Sequence, residues 1–129
     1  MTVAITPIYA ALLALLYVWL SARVIGGRFK YKTSLGDAGQ PELLTRIRGQ
    51  ANCAEYAPIG LILLLLAELQ GAPAMAVHVL GLMLLAGRVL HAVAFMSDVP
   101  RQSLRGPGMI LTFAMIVFAA LGLLGHAVV

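Results

Sequence analysis

Four long apolar segments divide this chain of 129 residues and constrain its fold more than any other feature. Each approaches or exceeds the roughly 20 mostly apolar residues that a helix needs to cross a bilayer. Hydrophobic residues make up 61% of the chain and charged residues 11%, with a mean hydropathy of +0.95. This composition excludes a soluble globular domain. We therefore expect one all-α domain over residues 1–129, an integral membrane four-helix bundle with transmembrane helices at about 4–25, 41–70, 74–97 and 107–127.

Glycine and proline residues indicate where these helices begin and end. Gly26 and Gly27 predict the end of the first helix, and Pro41 suits the first turn of the second. Pro58 lies inside the second helix and predicts a kink, because it removes one backbone hydrogen bond. The first apolar run is too long for a signal peptide and no basic residue precedes it, so we expect it to remain in the mature protein.

The basic residues predict how the chain is oriented in the membrane. Six of the nine Lys and Arg residues lie in or beside the first connection, Arg101 and Arg105 lie in the third, and the second connection has none. The positive-inside rule then places the first and third connections in the cytoplasm and both termini on the opposite side. The pI of 9.7 reports this orientation and gives little reason to invoke nucleic acid, because the basic residues lie at a membrane surface.

A cluster of charged and amide side chains leads into the second apolar segment. A charge near the bilayer centre costs roughly 2.5 to 3.5 kcal/mol even on the mildest insertion scale, so a chain that keeps several of them is expected to use them. Arg48, Asn52, Glu55 and Tyr56 stand at i, i+4, i+7 and i+8, which places them on one face of the second helix.

The third apolar segment carries a matching polar face, formed by Arg88 and His91 with Phe95. Counted from a hairpin centred near Ala72, Glu55 lies 17 residues back and Arg88 lies 16 forward, so their depths match. We predict that Glu55 and Arg88 neutralise each other or contact one charged ligand. A purely structural ion pair is the alternative interpretation, but the surplus of arginines, with Arg48 and Arg105 nearby, favours an anionic ligand.

The second helix also contains a recognisable motif, Arg48-Gly-Gln50-Ala-Asn52-Cys-Ala-Glu55-Tyr56-Ala-Pro58. This motif resembles the signature of the membrane-associated proteins in eicosanoid and glutathione metabolism (MAPEG), which include microsomal glutathione transferases and leukotriene C synthase. The resemblance extends over most of the chain, including an arginine inside the third helix and another before the fourth. It implies a homotrimer of four-helix subunits, with glutathione bound between neighbouring subunits on the cytoplasmic side.

The resemblance further implies which residues bind glutathione. The positions that match the family's glutathione-binding residues, or are candidates for that role, are Arg48, Gln50, Asn52, Glu55, Tyr56, Arg88, His91 and Arg28. The two arginines Arg48 and Arg88 would meet carboxylates and Glu55 the ammonium group, while Gln50 and Asn52 would meet the amides. Where the leukotriene synthase type has tyrosines in the third helix, this chain has His91 and Phe95.

The family's thiol-activating arginine precedes the fourth helix. Arg105 matches it best, with Arg101 as the competitor, because the segment Met96 to Arg101 is longer than in the family pattern. A guanidinium beside the sulfur favours the thiolate and lowers the pKa of the cosubstrate thiol from about 8.5 towards neutrality. Cys53 is interpreted as a small packed residue, since the nucleophilic sulfur comes from glutathione. Thr112 is interpreted as a packing residue of the fourth helix, and Glu68 has no assigned partner.

The leading hypothesis is a glutathione S-transferase of the bacterial inner membrane, or a peroxidase, acting on small hydrophobic electrophiles dissolved among the membrane lipids. The first alternative keeps the fold without the chemistry, as a glutathione-binding or lipid-binding protein. The second, a small multidrug exporter, resembles this chain in size only, because such exporters use an acidic residue in the first span and none occurs between Met1 and Arg23. No metal site is predicted, since the three histidines lie at different depths.

Overall fold

A computed structural model describes residues 2–129 as a bundle of four α-helices joined by short connections. Each helix is long and apolar enough to cross a membrane, and the described residues contain no β-strand. The predicted all-α four-helix membrane bundle is therefore confirmed. The helices are α1 (Thr6–Tyr31), α2 (Pro41–Leu69), α3 (Ala74–Ala94) and α4 (Gln102–Val128).

Several predicted helix ends were wrong, most clearly that of α1. The helix continues through Gly26 and Gly27 and ends at Tyr31, and the following Lys32 adopts a left-handed conformation with φ of 51°. Gly27 is a packing position, because a Cβ atom there would lie 2.8 Å from Cδ1 of Leu43 on α2. A glycine that allows two helices to approach does not have to end one.

Both ends of the third connection also differ from the prediction. Helix α3 ends at Ala94 instead of residue 97, and α4 begins at Gln102 instead of residue 107. The backbone N–H of Arg105 donates to the carbonyl of Arg101 at 2.9 Å, which forms a first helical turn ahead of Pro107. Pro107 therefore lies inside α4 instead of marking its start.

Close helix contacts hold α3 and α4 together near the middle of the bundle. A Cβ atom at Gly87 would lie 2.8 Å from the carbonyl oxygen of Gly108 and 2.7 Å from Oγ1 of Thr112. Small residues allow this approach, as is usual where helices pack within a membrane. Between this contact and the chain termini, the buried core consists mainly of Tyr9, Leu13, Leu64, Val77, Leu84 and Met115.

The two ends of the bundle are chemically different. We call the end that carries the α1–α2 and α3–α4 connections the basic end, and the end that carries both termini and the α2–α3 connection the hairpin end. At the hairpin end, the Glu68 carboxylate accepts the backbone N–H groups of Ala4, Ile5 and Thr6 at 3.1, 2.8 and 2.8 Å. Glu68 thus caps the start of α1, a partner that its position in the sequence did not reveal.

Candidate functional site

A cavity of about 330 Å³ opens at the basic end between α2, the α3–α4 connection and the start of α4. Three of the predicted site residues line it, namely Arg48 and Asn52 from α2 and Arg105 from α4. Two arginines around one pocket create a site suited to an anion, since guanidinium groups bind carboxylates with paired hydrogen bonds. The remaining lining residues are Pro41, Leu44, Thr45, Phe95, Asp98, Val99 and Pro100.

Arg88 lies behind this cavity and is almost completely buried, with 1% of its surface exposed. Its Nη1 donates to Oδ1 of Asn52 at 2.6 Å and to the Asn52 carbonyl at 3.2 Å. Its Nε donates to Oγ1 of Thr112 at 3.2 Å, and Nη2 contacts Sδ of Met109 at 3.2 Å. One guanidinium thus joins α2, α3 and α4 and fixes the orientation of the Asn52 amide.

The expected ion pair between Glu55 and Arg88 is not formed among the described residues. Glu55 instead accepts a hydrogen bond from Nη2 of Arg48 at 3.3 Å, with both side chains about half exposed. Asn52 bonds Arg88 instead because Glu55 lies on the exposed side of α2, whereas the Asn52 side chain faces the Arg88 guanidinium. The other half of that prediction, a charged ligand shared by Glu55 and Arg88, stays a prediction.

Aromatic rings connect the buried groups to the cavity. His91 is buried and stacks on Phe95 with ring centroids 4.5 Å apart, and the guanidinium of Arg105 lies 5.5 Å from the Phe95 centroid. Tyr56 lies 5.6 Å from the guanidinium carbon of Arg88 and packs edge-to-face against Phe113. Phe95 therefore separates His91 from Arg105 and forms the apolar wall of the cavity.

Gln50, Arg28 and Arg101 also lie outside this cavity. Gln50 donates to the Tyr17 hydroxyl at 3.2 Å and to Ser21 at 3.3 Å, both on α1. Arg28 donates to the Gly36 carbonyl at 2.7 Å and lines a different pocket at the end of α1. Arg101 precedes the first residue of α4 and does not line the cavity, so the geometry separates it from its competitor Arg105.

Thr112 and Asp98 are site residues that the sequence interpretation missed. Thr112 was interpreted as a packing residue, yet it accepts a hydrogen bond from Arg88 while donating to the Gly108 carbonyl at 2.8 Å. A single hydroxyl in an otherwise apolar stretch of helix was the available signal. Asp98 had no such signal, because its place beside the cavity depends on the path of a connection.

Cys53 and the possible metal ligands also bear on the chemistry of the site. Cys53 is buried between α1, α2 and α3, beside Leu20, Ala57 and Ala92, in agreement with its interpretation as a packed residue. Among residues 2–129, no three His, Cys, Asp or Glu side chains come together in a way that would hold a metal ion.

Comparison with known proteins identifies the family of the chain. The sequence model of the MAPEG family matches residues 6–125, which is nearly the whole length of the chain. The chain belongs to the MAPEG family. The resemblance found in the second helix is thereby confirmed, and the polar network around Arg88 lies within the matched region of this MAPEG protein.

Curated relatives of this MAPEG protein are found in Escherichia coli. The inner membrane protein YecN of strain K12 is 41% identical over 91 residues, which cover 70% of each chain. The protein of the same name from strain O6:H1 matches to the same extent. No solved structure matches the chain. The name of these relatives gives a location in the inner membrane and states no activity. Together with the four apolar helices, it supports a multi-pass membrane protein.

Proposed function

We propose that this MAPEG protein is a membrane-bound glutathione transferase. It activates the glutathione thiol for attack on small hydrophobic electrophiles that reach it from the bilayer, with peroxide reduction as a related reaction of the same thiolate. The observation that carries the proposal is the cavity at the basic end, where Arg48, Asn52 and Arg105 meet. Family membership supplies the ligand that this set of donors suits.

The side chains around the cavity have distinct roles in this proposal. Arg48 binds a glutathione carboxylate, and Asn52 hydrogen-bonds the peptide through an amide whose orientation Arg88 fixes. Arg105 lies beside the sulfur, where its charge stabilises the thiolate. The guanidinium of Arg88 is already occupied by Asn52, Thr112 and Met109, which favours a positioning role over direct contact with a carboxylate.

The proposal extends to orientation and assembly. Glutathione enters from the cytoplasm, so the basic end faces the cytoplasm of a bacterial inner membrane, as the basic connections and the name of the relatives suggest. The protein acts as a homotrimer with the site at a subunit boundary. This arrangement gives Gln50, Arg28 and the exposed side of Glu55 a place near a ligand that one subunit alone does not provide.

Calorimetry with glutathione on the detergent-purified protein tests the proposal. We expect saturable binding to the wild type, about tenfold weaker binding to Arg48→Ala because one charge-assisted contact is lost, and an ultraviolet thiolate band on binding. Turnover is then measured with a hydrophobic electrophile. A folded wild type that binds no glutathione would refute the proposal.

Binding without a thiolate band or turnover would support the second candidate, a glutathione-binding protein without catalysis. One observation favours that candidate. Phe95, which follows the last residue of α3, lines the cavity with His91 buried behind it, and α3 itself contains no tyrosine whose hydroxyl could meet the ligand.

A further inference from the structure

A small polar cluster joins α1 and α2 on the opposite side of α2 from the cavity. Gln50 lies two residues from Arg48 and two from Asn52, and each of these steps is about 200° around the helix. The Gln50 amide donates to the Tyr17 hydroxyl at 3.2 Å and to the Ser21 hydroxyl at 3.3 Å. None of these three residues lines the cavity, so α2 carries polar groups on two separate faces.

The polar cluster continues along α1 towards the basic end. Tyr17, Ser21 and Arg28 stand at i, i+4 and i+11, which places them on one face of the helix. Polar side chains are costly among the apolar residues of a membrane helix, so such a face is expected to have a use. Under the proposed function, Gln50 and Arg28 meet glutathione at the subunit boundary. Tyr17 lies on the same face and beside Gln50, so it shares their place at that boundary.

The hydrogen bonds of the cluster leave one hydroxyl proton unused. The Ser21 hydroxyl donates its proton to the Tyr17 carbonyl at 2.9 Å, so its oxygen can only accept from Gln50. The Tyr17 hydroxyl oxygen also accepts from Gln50, but among residues 2–129 no group accepts the Tyr17 hydroxyl proton. With 38% of its surface exposed, Tyr17 can donate that proton to a group outside its own subunit. An unmet donor at membrane depth favours a partner with an acceptor oxygen.

We propose that Tyr17 is a further glutathione-binding residue, whose hydroxyl is oriented by Gln50 and donates to an oxygen of the glutathione at the subunit boundary. This inference rests on the proposed function, because it adds a residue for the same ligand. The acceptor is a carboxylate or a peptide carbonyl, since these groups carry the oxygen atoms of glutathione. Ser21 has no proton left for a ligand and acts only on Gln50.

Glutathione binding to matched hydroxyl deletions tests this assignment. The proteins are the wild type, Tyr17→Phe, Ser21→Ala and Tyr9→Phe, and the first two deletions are also made in a Gln50→Ala background. Ser21→Ala removes a hydroxyl from the same cluster without removing an unused donor. Tyr9→Phe makes the same chemical change on the same helix, at the hairpin end. Calorimetry gives Kd, and gel filtration with thermal unfolding confirms that each protein keeps its folded assembly.

We expect Tyr17→Phe to raise Kd for glutathione about tenfold, since one hydrogen bond to the ligand is lost. Part of this loss should persist in the Gln50→Ala background, where the Tyr17 hydroxyl still reaches the ligand. Ser21→Ala should raise Kd only about twofold and should have no effect in that background, because it acts through Gln50. Tyr9→Phe should leave Kd unchanged.

A second ligand, the glycyl ethyl ester of glutathione, identifies the acceptor oxygen. The Kd ratio between Tyr17→Phe and the wild type is measured with both ligands. A smaller ratio with the ester than with glutathione assigns the hydrogen bond to the glycyl carboxylate. An equal ratio assigns it to another oxygen of the peptide.

Two results would overturn the assignment while leaving the proposed function intact. One is an unchanged Kd in Tyr17→Phe, which would leave the hydroxyl as a contact between α1 and α2. The other is a loss in Tyr17→Phe that disappears in the Gln50→Ala background, which would show that Tyr17 only holds Gln50. A wild type that binds no glutathione would instead refute the proposed function, and this inference with it.

Discussion

Both ends of the bundle contain polar groups that are costly to place in a membrane, but the two ends use these groups differently. At the hairpin end, the Glu68 carboxylate accepts three backbone N–H groups, and the Tyr9 hydroxyl pairs with Nδ1 of His78 at 2.9 Å. At the basic end, Arg48, Asp98 and Arg105 surround an open cavity and keep hydrogen-bonding capacity that the chain does not use. Polar groups satisfied within the chain stabilise a membrane bundle, whereas groups arranged around a cavity are available for a ligand.

The largest effect that this comparison predicts concerns Arg105. Arg105→Ala should lower the conjugation rate at neutral pH about 10- to 100-fold, because the glutathione thiol loses the charge that favours its thiolate. The rate should then rise with pH towards the ordinary thiol pKa of about 8.5, whereas the wild type reaches its plateau at lower pH. Thermal stability should not change, because the side chain is exposed.

Arg101→Ala is the matched control, since it removes the same charge one helical turn earlier, just before α4, at a residue that does not line the cavity. Rate profiles against pH are measured for both variants. An Arg105→Ala protein with full rate and an unshifted profile would remove the catalytic assignment.

The second prediction concerns stability at the hairpin end. Glu68→Gln should lower the free energy of unfolding by about 1 to 2 kcal/mol. One carboxylate oxygen that accepts backbone N–H groups at the start of α1 is replaced by an NH2 group, which is itself a donor. Kd for glutathione should stay constant, since the cap lies at the opposite end from the cavity. Thermal unfolding and calorimetry measure the two quantities. A Glu68→Gln protein with weaker glutathione binding would show that the ends are coupled.

A smaller effect comes from deleting two single hydroxyls, one behind the cavity and one at the hairpin end. Thr112→Val should raise Kd for glutathione about fivefold, corresponding to about 1 kcal/mol, because Nε of Arg88 loses its acceptor and the Asn52 amide is held less firmly. Tyr9→Phe removes the hydroxyl that contacts both Nδ1 and the carbonyl oxygen of His78, and should cost about 1 kcal/mol of stability without changing Kd. Equal Kd changes in the two variants would contradict the separation of roles.

The sequence predicts those parts of the molecule that depend on local composition. Four apolar segments determine the four membrane helices, and the spacing of Arg48 and Asn52 places both on the face that lines the cavity. The motif of the second helix also leads directly to the family.

Relations between helices were harder to predict. Counting residues from the hairpin gave the depth of α2 against α3, as the packing of Leu84 on Gly60 shows. It did not give which side of α2 faces Arg88, and Asn52 faces it while Glu55 lies on the exposed side. The place of Asp98 beside the cavity was equally hidden. Its position depends on one hydrogen bond from Thr45 of α2 to the backbone of the irregular α3–α4 connection.

The buried cysteine allows transient separation of the helices to be followed by chemical labelling. Cys53 is the only thiol in the chain and has 3% of its surface exposed, within the contact between α1, α2 and α3. A thiol-specific dye added in detergent therefore reacts slowly while these helices stay packed and faster when they separate. The labelling rate reads the opening equilibrium on unmodified protein, without glutathione present, and no cysteine has to be engineered to compare the variants.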